Sequence, residues 1–213
     1  MVGTPLVAWM NPLPMELAPG LRERRCSVAA KASGRVLDLG GWSDHLGSYR
    51  LSAAESTGVR EVTMLVRPGD LQPTDSDRDP AGVTRVDAGF DSLKALGVDP
   101  FDTIVSLIRT PLVADISRMF SIVGDLLAPG GQLLMLEPVR RSGRIGRMIA
   151  FGGSLIRATG GLHLDRDIPG MLRTEGFVVT DLERFEVPTV SAPLRPFVQA
   201  RARRAGGFDG EPS

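Results

Sequence analysis

The chain has 213 residues, enough for one domain with a sizeable core. Hydrophobic residues make up 42% and charged residues 23%, the composition of a folded globular protein rather than a disordered segment. A formal net charge of zero argues against a general nucleic-acid binder, which needs a basic surplus to neutralise phosphates.

Cys26 is the single cysteine, so no internal disulfide can form, and His45 and His163 are too few and too far apart for zinc-ligand spacing. A reducing, cytoplasmic setting is the expectation. No run of about 18 apolar residues is present to span a bilayer, and the first 20 residues carry neither a basic leader nor a sustained apolar run.

In chain order, residues 1–33 are Pro- and Ala-rich, then charged, and predict an irregular or lid-like segment with at most one short helix. From residue 34 the pattern changes to buried-strand runs: "RVLDL" at 35–39, "EVTMLV" at 61–66, "VTRVDA" at 83–88, "FDTIVSLI" at 101–108 and "QLLMLEPV" at 132–139. The polar stretch 70–82 stands where a crossover helix would be expected, so that crossover reads as abbreviated. Between the fourth and fifth runs, Ile116, Met119, Phe120, Val123, Leu126 and Leu127 form one apolar helical stripe that should stop at "APGG". "DIPGMLRTEGF" predicts a second helix, and 178–187 and 194–203 predict two final strands. The whole is a doubly wound α/β fold with a mostly parallel seven-stranded sheet closed by a C-terminal antiparallel hairpin. One domain over 34–204 is expected, followed by a disordered tail at 205–213.

The ordered pieces "VLDLGG", "FDTIVS" and "LLAPGGQLLMLEPV" resemble the first-, fourth- and fifth-strand motifs of class I S-adenosylmethionine (SAM) methyltransferases, which have a Rossmann-like fold. "GGLHLDRDIPGMLRTEGFVVTDLERFEVP" and "APLRPFV" are similar to the phospholipid, menaquinone and membrane-associated thiol methyltransferase branch. The resemblance covers residues 34–203. It implies a SAM site whose glycine turn lets backbone approach the cofactor and whose second-strand acid holds the ribose.

Asp38, Gly40 and Gly41 match the first motif, but Trp42 stands where the second glycine belongs. Arg67 falls at the expected ribose acid, and a guanidinium cannot accept hydroxyl protons; Asp70 is the substitute if the strand ends later. Asp91 matches the acid near the adenine amino group. For Asp38 two uses stay open: a contact to the cofactor's amino group through water, or a strand-end acid satisfied by the turn's own N–H groups. Glu137, ending the fifth strand, and His163 are the candidates on the acceptor side; each is equally readable as a loop residue.

Residues 140–161 combine Arg140, Arg141, Arg144 and Arg147 with an apolar face of Ile145, Met148, Ile149 and Ile156. This suits packing on the domain, a lid, or peripheral contact with an anionic membrane. Two functions follow: a SAM-dependent methyltransferase with an atypical pocket and a small apolar or lipid-like acceptor, or a catalytically inactive protein of the same fold that binds a protein partner or a membrane.

Overall fold

The computed structural model describes residues 20–40, 44–51, 58–66, 80–87, 89, 98–140, 163, 166–189 and 195–206. Seven strands lie in one sheet: β1 (Gly34–Asp38), β2 (Val59–Val66), β3 (Val83–Asp87), β4 (Phe101–Leu107), β5 (Leu127–Pro138), β6 (Phe177–Glu186) and β7 (Pro196–Arg204). Their order is β3-β2-β1-β4-β5-β7-β6. The first five strands pair in parallel, and β7 enters antiparallel between β5 and β6. Strand order reverses between β1 and β4, so the chain's topological switch point lies at their carboxyl ends, where open α/β sheets bind ligands.

The central strands are buried on both faces, which is why they read as continuous apolar runs. Along β4, Ile104 belongs to one core and its neighbour Val105 to the other; Leu133 and Leu134 of β5 divide in the same way. The first core lies under α2 (Ile116–Leu126), whose buried stripe includes Ile116, Met119, Phe120 and Val123. Asp115 caps this helix by accepting from the Arg118 N–H at 2.9 Å. A shorter helix, α3 (Ile168–Thr174), starts at the Asp167 cap and is followed by Gly176 at φ 80°.

The second core differs from expectation at its N-terminal side. Helix α1 (Leu21–Ala29) buries Leu21, Arg25, Val28 and Ala29 against the sheet. Arg24 on the same helix lies 3.6 Å over the Phe185 ring and pairs with Glu183 at 2.8 Å. This helix, N-terminal to the expected domain start at 34, packs on one face of the sheet. Residues 1–19 and 207–213, with the expected lid and most of the tail, lie outside the described residues, as does most of 70–82.

A second difference is at "APGG". The helix does not end in a glycine cap; α2 stops at Leu126, and Leu127 is already the first residue of β5. The glycines instead absorb a register shift, for Phe101 pairs with Leu127 while Thr103 pairs with Gln132. Gly130 takes φ 74°, and a Cβ on Gly131 would sit 2.9–3.2 Å from three backbone carbonyl oxygens, of Ala128, Phe101 and Asp102. Among the described residues no helix is long and apolar enough to cross a membrane.

Those oxygens are backbone and cannot swing aside. Gly131→Ala should cost about 2 kcal/mol of unfolding free energy by forcing the β4–β5 bulge apart, measured by urea denaturation against the unsubstituted chain.

Candidate functional site

At the switch point β1 ends in Asp38, whose side chain is fully buried. Its carboxylate accepts three hydrogen bonds. The Gly40 N–H reaches Oδ1 at 2.7 Å, while His45 Nε2 and the Tyr49 hydroxyl both reach Oδ2 at 2.6 Å. The turn makes this possible. After Gly40 the chain passes through Asp44 and His45 into a 3-10 turn at Leu46–Ser48, which returns His45 and Tyr49 over the end of the strand. Their rings stand edge to face with centroids 5.9 Å apart. A Cβ on Gly40 would lie 2.9 Å from Asp38 Oδ1, so this glycine is required by Asp38 itself.

The network extends in a line of alternating charge. His45 Nδ1 lies 3.6 Å from an Asp44 oxygen, and Asp44 is hydrogen-bonded in turn by the buried Arg25 of α1. Burial alone would depress the His45 pKa; the Asp38 carboxylate, with Asp44 in support, more than offsets this and pushes it up to about 9. The ring is therefore an imidazolium at neutral pH. Burial would raise the Asp44 carboxyl, but His45 and Arg25 hold it below the usual carboxylate range. Burial and the Asp38 charge both drive the Tyr49 phenol upward, so it remains a neutral donor.

Next to this lies a second buried carboxylate. Glu137, near the end of β5, accepts from Ser106 Oγ at 2.7 Å, Thr110 Oγ1 at 2.7 Å, and the N–H groups of Arg109 and Thr110, both at 3.0 Å. These bonds hold the turn after β4, where Ile108 adopts φ 56°, a left-handed conformation that a β-branched residue rarely takes. Arg166 grips the same turn from its other side, donating to the carbonyls of Thr110, Val113 and Ala114. Arg109 leaves that turn and donates through Nε to the Leu39 carbonyl at 2.6 Å, joining the ends of β4 and β1.

The structure thus brings Asp38, Gly40 and Glu137 to one edge, where both carboxylates accept hydrogen bonds from the chain itself. The four acceptor positions of Glu137, a candidate acceptor-side acid, are all used inside the chain. Burial pushes its pKa up to about 7 against the pull of those hydrogen bonds. His163 is half-buried at the same turn, its N–H donating to the Pro111 carbonyl at 2.9 Å. Gly41, Trp42, Arg67 and Asp91 lie outside the described residues, as does 141–161. Among the described residues no cluster of His, Cys, Asp or Glu could hold a metal.

Sequence reasoning missed His45, Tyr49, Arg25, Arg109 and Arg166 as partners of this edge. The only available signal was "DHLGSY", a histidine and tyrosine seven and eleven residues beyond Asp38.

No protein-family model matches the sequence, and no curated protein matches it at the level of sequence. The fold is similar to solved structures. The N-methyltransferase NodS from Bradyrhizobium japonicum WM9, solved with S-adenosyl-L-homocysteine (SAH), is 16% identical with a TM-score of 0.61, over 91% of this chain and 92% of that one. The mitomycin 7-O-methyltransferase MmcR is 15% identical with a TM-score of 0.57, over 87% of this chain and 54% of its own. The [4+2]-cyclase SpnF, 15% identical with a TM-score of 0.58, is similar over 87% of this chain and 80% of its own. The chain therefore has the class I methyltransferase fold, which also carries a different reaction.

His45 keeps in the folded chain a proton that it sheds near pH 6.5 when unfolded. Its stabilising contribution is complete below about pH 6.5 and lost as pH rises through about 9, a difference of about 3 kcal/mol. The stability gap between the unsubstituted chain and His45→Gln should therefore be widest at pH 6 and shrink by pH 9.5 in denaturant titrations. Glu137→Gln places an amide against a carboxylate's donors and should lose about 3 kcal/mol at neutral pH.

Proposed function

We propose that the chain is a SAM-dependent methyltransferase whose acceptor is a small apolar or lipid-like molecule. The single observation that carries this reading is the seven-stranded fold with its β1–β4 switch point, which is similar over 91% of the chain to an N-methyltransferase solved with SAH. The acceptor class rests on the C-terminal sequence resemblance and on the basic, amphipathic composition of 140–161.

SAM, when bound, supplies a methyl group already activated on a sulfonium. The chain then has to bind, align the acceptor and exclude water, which asks for few reactive side chains. The described edge fits that task in part. The turn at Leu39–Gly40 and the Arg109 bridge form a fixed floor at the switch point. Asp38 does not present a free carboxylate there. We place His163 on the acceptor side, held at the rim by its backbone bond to Pro111, where an imidazole orients the acceptor or takes its proton.

The sealed state of Asp38 favours a second reading: a non-catalytic protein of this fold, with its surface used for a protein partner or a membrane. Calorimetric titration of SAM and SAH into the full chain separates the two. Binding at about micromolar Kd, followed by label transfer from methyl-labelled SAM to thiol, quinol or phospholipid acceptors, is expected for the enzyme. Absence of binding at millimolar ligand selects the second reading. Given turnover, His163→Gln should lower kcat by about 100-fold or more while leaving SAH affinity in place.

A further inference from the structure

We infer that the acid ending β1 serves structure rather than ligand recognition: Asp38 is the terminus of an internal charge relay with His45, Asp44 and Arg25, and a ligand at the β1–β4 edge makes no ion pair with it. The inference rests on the SAM reading for its ligand but on the relay's own geometry for its substance.

Four observations carry it. The carboxylate is inaccessible, at 0% exposure. Its three donors stand at 2.6–2.7 Å and come from a turn and a 3-10 segment that wrap the strand end. Two carboxylates face two cations along the line Asp38, His45, Asp44, Arg25, so the group is neutral as a whole and exerts little attraction on an approaching ammonium. Gly40, which the family pattern reserves for close ligand approach, is accounted for by the Asp38 oxygen 2.9 Å from where its Cβ would be.

Freeing Asp38 for a ligand would leave the buried His45 cation without its closest anion, and an uncompensated buried charge is strongly unfavourable. Tyr49 would lose its acceptor at the same time. His45 and Tyr49 therefore hold Asp38 in place rather than leaving it poised for exchange. Recognition of a ligand's amino-acid end, where it exists, falls to groups other than Asp38.

SAH and 5′-methylthioadenosine test this, because they share the nucleoside and sulfur while only SAH carries the ammonium and carboxylate. Their two Kd values give the contribution of the amino-acid tail, and Asp38→Asn measures whether that contribution passes through Asp38. A loss of folding quality weakens both ligands equally, whereas a lost ion pair weakens SAH alone. The expected result is a ratio of the two Kd values unchanged within about threefold in Asp38→Asn; a fall of about tenfold or more overturns the inference.

His45→Gln serves if Asp38→Asn fails to fold: it removes the buried cation that holds Asp38. A gain of about tenfold for SAH alone is then expected, and an unchanged ratio overturns the claim that the relay withholds Asp38 from the ligand. If neither ligand binds the unsubstituted chain, the methyltransferase reading fails while the relay is still judged by nitrogen-15 NMR of the His45 ring. Both ring nitrogens protonated at pH 7.5 support the relay; a neutral imidazole at that pH overturns it.

Discussion

A carboxylate taken out of water must be met by donors or cations from its own chain, and at the carboxyl edge of this sheet that requirement arises twice. Asp38 on β1 and Glu137 on β5 are both fully buried. The surrounding turns are arranged to answer them. Gly40 and the 44–49 segment bring a backbone N–H, an imidazolium and a phenol to Asp38. The turn after β4 brings two N–H groups and two hydroxyls to Glu137. Arg109 ties the two turns together through the Leu39 carbonyl. The left-handed Ile108 is the local cost of aiming those N–H groups inward, and the Glu137 and Arg166 bonds offset it.

This arrangement bears on function because the same edge is where an open α/β sheet binds its ligand. A site normally keeps some of its polar groups unsatisfied until the ligand arrives. Here Glu137 uses all four acceptor positions inside the chain, and the buried Asp38 uses three. What the described residues retain there is the backbone turn after β1, tied to the turn after β4 by Arg109. The likeness to NodS and MmcR shows the fold, and the likeness to the cyclase SpnF is a reminder that this scaffold leaves the reaction to its site.

The elements were largely legible in the sequence, since their signals are local. β4 and β5 read as buried runs because both faces are covered; α2 was visible as a stripe from Ile116 to Leu126. Less legible was the "APGG" segment, where Gly131 is demanded by the carbonyls of Phe101 and Asp102, some thirty residues away in sequence. Helix α1 lies in the stretch expected to be irregular, because "LRERR" reads as charged rather than apolar; Arg25 is nonetheless buried beside Leu21, Val28 and Ala29 and paired with Asp44.

By itself the sequence determined the seven strands, the two principal helices and the ligand-binding class of fold, since period, glycine and proline act over a few residues. It also marked Asp38 and Glu137 as the acids at the strand ends. Only the tertiary structure decided what those acids do. Their partners come from different elements, with Arg25 from α1, His45 and Tyr49 from the turn after β1, and Ser106 and Thr110 from β4 and its turn. Whether a carboxylate faces a ligand or an internal cation depends on distances of a few ångströms between segments far apart in the chain, and sequence spacing carries no record of them.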